Sequence, residues 1–146
     1  MDKLKYLVLV LVIGCTSSFK HNLTSPEGMQ IDTSIFAITA EQFSATVQST
    51  LEAWQKALDA SGHVCKPADF IKDLHVQFLP YPFVWNGKRY AGLTFVDKNL
   101  SQVGWREDLN MTALGHEMGH YILYRCHLPY DELNLFDWAK KYHLPY

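Results

Sequence analysis

Apolar residues along the chain follow two periods. Phe43, Val47, Leu51, Trp54 and Leu58 fall three or four residues apart, which places them on one stripe of a helix of about five turns. Thr39-Ala40-Glu41-Gln42 opens that helix as a capping box, with Gln42 three residues after Thr39, and Ser61-Gly62 closes it. The period then shortens. Leu74-His75-Val76-Gln77-Phe78-Leu79 alternates apolar and polar, the pattern of a half-buried strand. Phe83-Val84-Trp85 and Arg89-Tyr90-Ala91 flank Asn86-Gly87, the favoured pair for a two-residue type I′ hairpin because both positions need positive φ. Leu93 to Val96 and Gln102 to Trp105 predict further short strands. Helical spacing returns in the last third. Asp108 or Asn110 caps a helix reaching about Cys126, and His127-Leu128-Pro129 breaks it. Asp131 caps a final helix to about Tyr142, with Glu132, Leu135, Phe136 and Ala139 along one stripe. The order of helix, strands, helix and helix predicts one α+β domain over residues 36–146, with a short twisted, mainly antiparallel sheet. A chain of 146 residues holds one such core and not two.

The first apolar run is of another kind. Lys3 and Lys5 precede Tyr6 to Ile13, which Gly14 and Cys15 follow. As a helix the run rises only about 12 Å, against roughly 30 Å of bilayer hydrocarbon, so it does not span a membrane. A basic start, a short apolar run and a small residue describe a secretory signal. Val12-Ile13-Gly14-Cys15 resembles the lipobox of bacterial lipoproteins. That resemblance implies removal of residues 1–14, lipid on the Cys15 sulfur, and attachment to a membrane outside the cytoplasm. Thr16 does not resemble the aspartate that marks inner-membrane retention in some bacteria, so the outer membrane, facing the periplasm, is the expected location. Residues 15–35, rich in Ser, Thr, Asn, Gly and Pro without an apolar period, read as a tether.

Composition changes this picture in two places. Net charge is -2 and no basic patch stands out, so nothing points to nucleic acid as a partner. Beyond Cys15 the cysteines are Cys65 and Cys126. In an oxidising compartment such a pair predicts a disulfide, the alternative being two buried thiols.

The candidate chemistry lies in His116-Glu117-Met118-Gly119-His120. Residues four apart share one helix face, so both imidazoles can reach one Zn²⁺. Glu117 points to the side of that face, where it can act as general base toward metal-activated water. With 7 His in the chain, roughly 1% of sequences of this composition would contain such a match by chance. Uncharged neighbours on both sides, Ala113 to Gly115 and Met118, Gly119, Tyr121 and Ile122, suit a helix buried around inward imidazoles.

Over Ala113 to Ile122, and more loosely in its element order from residue 39, the chain resembles the zincin superfamily of zinc metallopeptidases. The resemblance implies a backing helix and a small sheet before the motif helix. It also implies an edge strand, here from the Tyr90 to Trp105 region, that pairs with an extended peptide or protein substrate. The zincin pattern with a third histidine six residues after the second fits poorly, because Cys126 stands there and His127 is one residue late. Other zincins take a carboxylate from the following helix, which makes Glu132 or Asp131 the third ligand; His127, if the helix breaks at Cys126, and Asp137 and His143 are further candidates. Tyr130 or His143 are candidate oxyanion donors, whereas His63 and His75 read as structural or solvated. Two other functions remain open at this point: a lipid-anchored binding module with a structural or vestigial zinc site, and a cell-wall peptide hydrolase.

Overall fold

A computed structural model describes residues 19–105 and 112–144. Cys15, Asp108 and Asn110 lie outside them. The elements run β1 (Leu23–Thr24), β2 (Gln30–Asp32), α1 (Ala40–Ala60), β3 (His75–Pro80), β4 (Phe83–Trp85), β5 (Lys88–Tyr90), β6 (Gly92–Phe95), β7 (Leu100–Trp105), α2 (Thr112–Arg125) and α3 (Glu132–Tyr142). Among the described residues the architecture is α+β: three α-helices, a five-stranded mixed sheet in the order β1-β2-β3-β7-β6, and the separate hairpin β4-β5. No helix among the described residues is long and apolar enough to cross a membrane.

α1 begins where its capping box puts it. The Thr39 hydroxyl accepts from the Gln42 N–H at 3.2 Å, and the Gln42 side chain accepts from the Thr39 N–H at 3.0 Å. Phe43, Val47, Trp54 and Leu58 are fully buried along the predicted stripe. Asn86 (φ 47°) and Gly87 (φ 73°) take the two left-handed positions of the β4-β5 turn.

Two expectations need correction. The sheet is mixed, not mainly antiparallel: β3 is parallel to both β2 and β7, while β1 and β6 add antiparallel edges. Parallel neighbours need a crossover, and α1 supplies it between β2 and β3. Residues 23–32 also belong to the sheet and not to a tether. Met29 and Ile31 are fully buried, and Gly28 (φ 88°) turns the chain between the two short strands. The Ser, Pro and Gly residues there are hairpin chemistry, which composition alone does not separate from spacer.

β3 is central, paired along both edges, and Val76 to Leu79 are buried whichever face they take, where alternation predicts one buried face. Phe78 meets Phe43 of α1 edge-on at 6.1 Å. On the opposite face Gln77 is buried within a polar ladder: it donates to Asp32 at 3.2 Å and accepts from Gln102 at 3.0 Å, across three strands in register.

α2 packs against β6 and β7. Leu114, Met118, Tyr121 and Ile122 are fully buried in the core. Its far end is anchored by Arg125, which pairs with Asp73 at 2.9 Å, donates to the Tyr121 hydroxyl at 2.6 Å and lies over the Phe70 ring. Gly119 is the point of closest approach. A Cβ there would meet Leu135 of α3 at 2.6 Å and Trp54 of α1 at 3.1 Å.

Candidate metal centre

The end of α2 brings the site together. His127 takes the left-handed conformation (φ 58°), and the N–H groups of His127 and Leu128 return to the carbonyls of Tyr124 and Leu123 at 3.0 and 2.9 Å. This is the Schellman pattern that terminates a helix and reverses the chain. The reversal carries Tyr130 and Glu132 back toward the middle of α2. Cys126, just before the turn, is bonded to Cys65, with the two Cα atoms 5.8 Å apart. The turn is thereby tied to the segment following α1.

His116, His120 and Glu132 converge. Their Nε2 and carboxylate oxygen atoms lie within 4.8 Å of one another. The two Nε2 atoms are 3.3 Å apart, and Glu132 oxygens stand 3.2 Å from His116 and 3.0 Å from His120. Bonds of 2.0–2.1 Å in a tetrahedral set place neighbouring ligand atoms about 3.3 Å apart, so the three groups fit one Zn²⁺ with little movement. The His120 Nδ1–H donates to the Tyr130 carbonyl at 2.6 Å. A carbonyl only accepts, so this bond fixes the tautomer and leaves Nε2 as the ligand-type atom. Burial, and then the neighbouring His120, push the His116 pKa down; Glu132 opposes them. Neutral imidazole is the form that ligates. Among the described residues no fourth His, Cys, Asp or Glu joins the group.

Asp131 is not part of this cluster. It is the N-cap of α3, and its carboxylate accepts from the Asn134 N–H at 3.1 Å. His127 is exposed in the turn. His143 caps the other end of α3, in a hollow shared with α1, and Asp137 lines a second hollow with Trp138 and His63. The expected α3 stripe is also altered. Leu135 and Ala139 are buried, but Phe136 is 45% exposed, and the Glu132 side chain is 62% exposed. Glu132 therefore turns toward the imidazoles from an open position, not from a buried stripe. His63 bonds to Ser61 and packs against Trp138, and His75 stacks on Phe19.

Glu117 takes the adjoining face of α2, toward β6, and is 3% exposed. Burial pushes its carboxyl up to about 7, against the hydrogen bond from Thr94 and the nearby His120 that favour the charged form. A carboxyl near 7 suits proton transfer at neutral pH. Thr94 Oγ1 donates to Glu117 Oε2 at 2.6 Å. Gly92, two residues earlier on the same face of β6, has no room for a side chain: a Cβ there would lie 2.6 Å from Glu117 Cγ and 2.7 Å from Cδ. Neither Thr94 nor Gly92 stands out in the sequence. The one available signal is the two-residue strand period, which puts both on one face of the strand expected beside the motif.

His116, Glu117, His120 and Glu132 line a cleft of about 270 Å³, walled by Gly92, Leu93 and Thr94 of the edge strand and by Tyr90 and Tyr130. Larger hollows of about 530 Å³ lie by the hairpin and between α1 and α3. Neither holds a cluster of ligand-type groups, and chemistry outweighs volume in choosing the site. No protein-family model, no curated protein and no solved structure matches the chain.

Proposed function

We propose that this protein is a zinc-dependent peptidase of zincin type, held at the cell envelope by a lipid on Cys15. The observation that carries the reading is the convergence of His116, His120 and Glu132 at tetrahedral spacing, with the buried Glu117 beside them on the same helix. His116, His120 and Glu132 would hold the zinc, which when bound would supply Lewis acidity toward a peptide carbonyl and would lower the pKa of a water toward ~7. Glu117 takes the proton from the attacking water and can return it to the leaving amine. Among the described residues the group has three ligand-type side chains, the open set that catalytic zinc sites keep, whereas structural zinc sites are closed by four. The edge position of β6 along the cleft favours an extended peptide, which can add as a further strand through main-chain hydrogen bonds.

Zinc content tests the ligand set. Protein purified from zinc-replete cells is expected to hold one Zn²⁺ per chain by plasma emission spectroscopy. His116→Ala, His120→Ala and Glu132→Ala are each expected to lose it together with cleavage of a denatured protein substrate, while Asp131→Ala keeps it. A parent protein free of zinc under those conditions overturns the reading. For the anchor, Cys15→Ala is expected to move the protein from the membrane fraction to the soluble or unprocessed pool. A processed Ala variant still sedimenting with membranes would remove the lipid from the account.

A further inference from the structure

We infer that Thr94 is a positioning residue for catalysis: from the edge strand, its hydroxyl fixes the Glu117 carboxylate and decides which oxygen receives the proton. The inference rests on the peptidase reading for its catalytic part and on geometry for the rest.

Thr94 Oγ1 has three close partners: Glu117 Oε2 at 2.6 Å, Ser101 Oγ at 2.8 Å and the Glu117 carbonyl at 3.2 Å. The hydroxyl has one proton to give. An ionised carboxylate and a carbonyl only accept, so that proton goes to the shortest and charged contact, Oε2. The fully buried Ser101 then donates to Thr94. Ser101, Thr94 and Glu117 form a directed chain from β7 through β6 to α2, and register places Thr94 opposite Ser101. Among the described residues no hydrogen bond occupies Oε1. That oxygen lies over Gly92, where the missing side chain leaves it space. Oε2 is thus engaged by the Thr94 hydroxyl, and Oε1 is the oxygen left open to a water proton. The strand that binds substrate main chain in the proposed function would also hold the general base, coupling the two by one side chain.

The test compares Thr94→Val, which keeps the shape and loses the hydroxyl, with Thr94→Ser, which keeps the hydroxyl. Zinc content, kcat and KM on a denatured protein substrate, and the position of the Glu117 side chain in crystal structures of both variants are measured. Thr94→Val is expected to retain zinc and a KM within about twofold, lose kcat by about 10-fold or more, and show Glu117 displaced from its place over Gly92. Thr94→Ser is expected to restore both kcat and the Glu117 position. Equal loss in the Ser and Val variants would mean that packing and not the hydroxyl matters, and would overturn the inference. So would a Val variant with parental kcat and an unmoved Glu117. If the parent cleaves no peptide, the peptidase reading fails, yet the displacement of Glu117 in the Val structure, and its return in the Ser structure, still decides whether Thr94 positions it.

Discussion

Glu117→Gln is expected to keep its zinc and lose at least ~10²-fold in kcat, the usual scale for removing a general base. The two side chains have nearly the same size, and the amide oxygen can still accept the Thr94 hydroxyl that now reaches Oε2. What the amide cannot do is take a proton from water. The variant therefore separates proton transfer from metal binding, which the histidine variants remove together. Stability should move the other way. In the metal-free protein burial raises the Glu117 carboxyl to about 7, above its value in the unfolded chain. Its contribution to folding is then greatest below the unfolded carboxylate range and fades as pH rises through 7, where a buried charge must form. A neutral glutamine avoids that cost, so the metal-free variant should melt at or above the parent's temperature at pH 8. Full activity in Glu117→Gln, measured where the parent is active, would sink the mechanism.

The parts of the fold legible in the sequence were those with local physical causes. Thr39 and Gln42 cap α1 because the two side chains satisfy each other's backbone N–H groups. Asn86-Gly87 makes its turn because both positions adopt positive φ. The motif itself needed only the pitch of a helix to bring His116 and His120 to one face. The parts that escaped were those settled by chain reversal. β1 and β2 are two and three residues long, too short for any period to register, and without them the α1 crossover and the parallel pairing of β3 have no visible cause. The proposed third ligand is the sharper case. Asp131 and Glu132 are neighbours of the same chemistry at nearly the same spacing. Structure separates them by role: Asp131 spends its carboxylate on the first turn of α3, leaving Glu132 to reach the imidazoles. The preference for Asp at an N-cap already contains that distinction, since a side chain committed to capping its own helix is not free to ligate. Thr94 and Gly92 escaped for a different reason, as nothing in a strand's own pattern records which helix residue will lie against it.

Breaking the Cys65–Cys126 bond is expected to cause a large loss of stability. The bond spans 61 residues of sequence, and in the chain-entropy model a loop of that size contributes about 4 kcal/mol. At roughly 4 °C per kcal/mol for a domain between the small and mid-sized classes, the melting temperature should fall by about 15 °C. The position of the bond adds a functional effect. Cys126 is the last residue before the left-handed turn at His127, and that turn delivers both the Tyr130 carbonyl bonded to His120 and the Glu132 carboxylate. Released from Cys65, the turn is held by its own hydrogen bonds and by the packing of α3, so Glu132, the proposed third ligand, becomes less well placed. Cys65→Ala with Cys126→Ala should therefore show both the lower melting temperature and weaker zinc retention against a competing chelator, even at temperatures where the fold is intact. Thiol titration of the parent, taken without reductant, should find neither Cys65 nor Cys126 free. Two reactive thiols at those positions would refute the bridge in the native protein. A double variant with parental melting and parental zinc retention would show that neither the fold nor the turn depends on it.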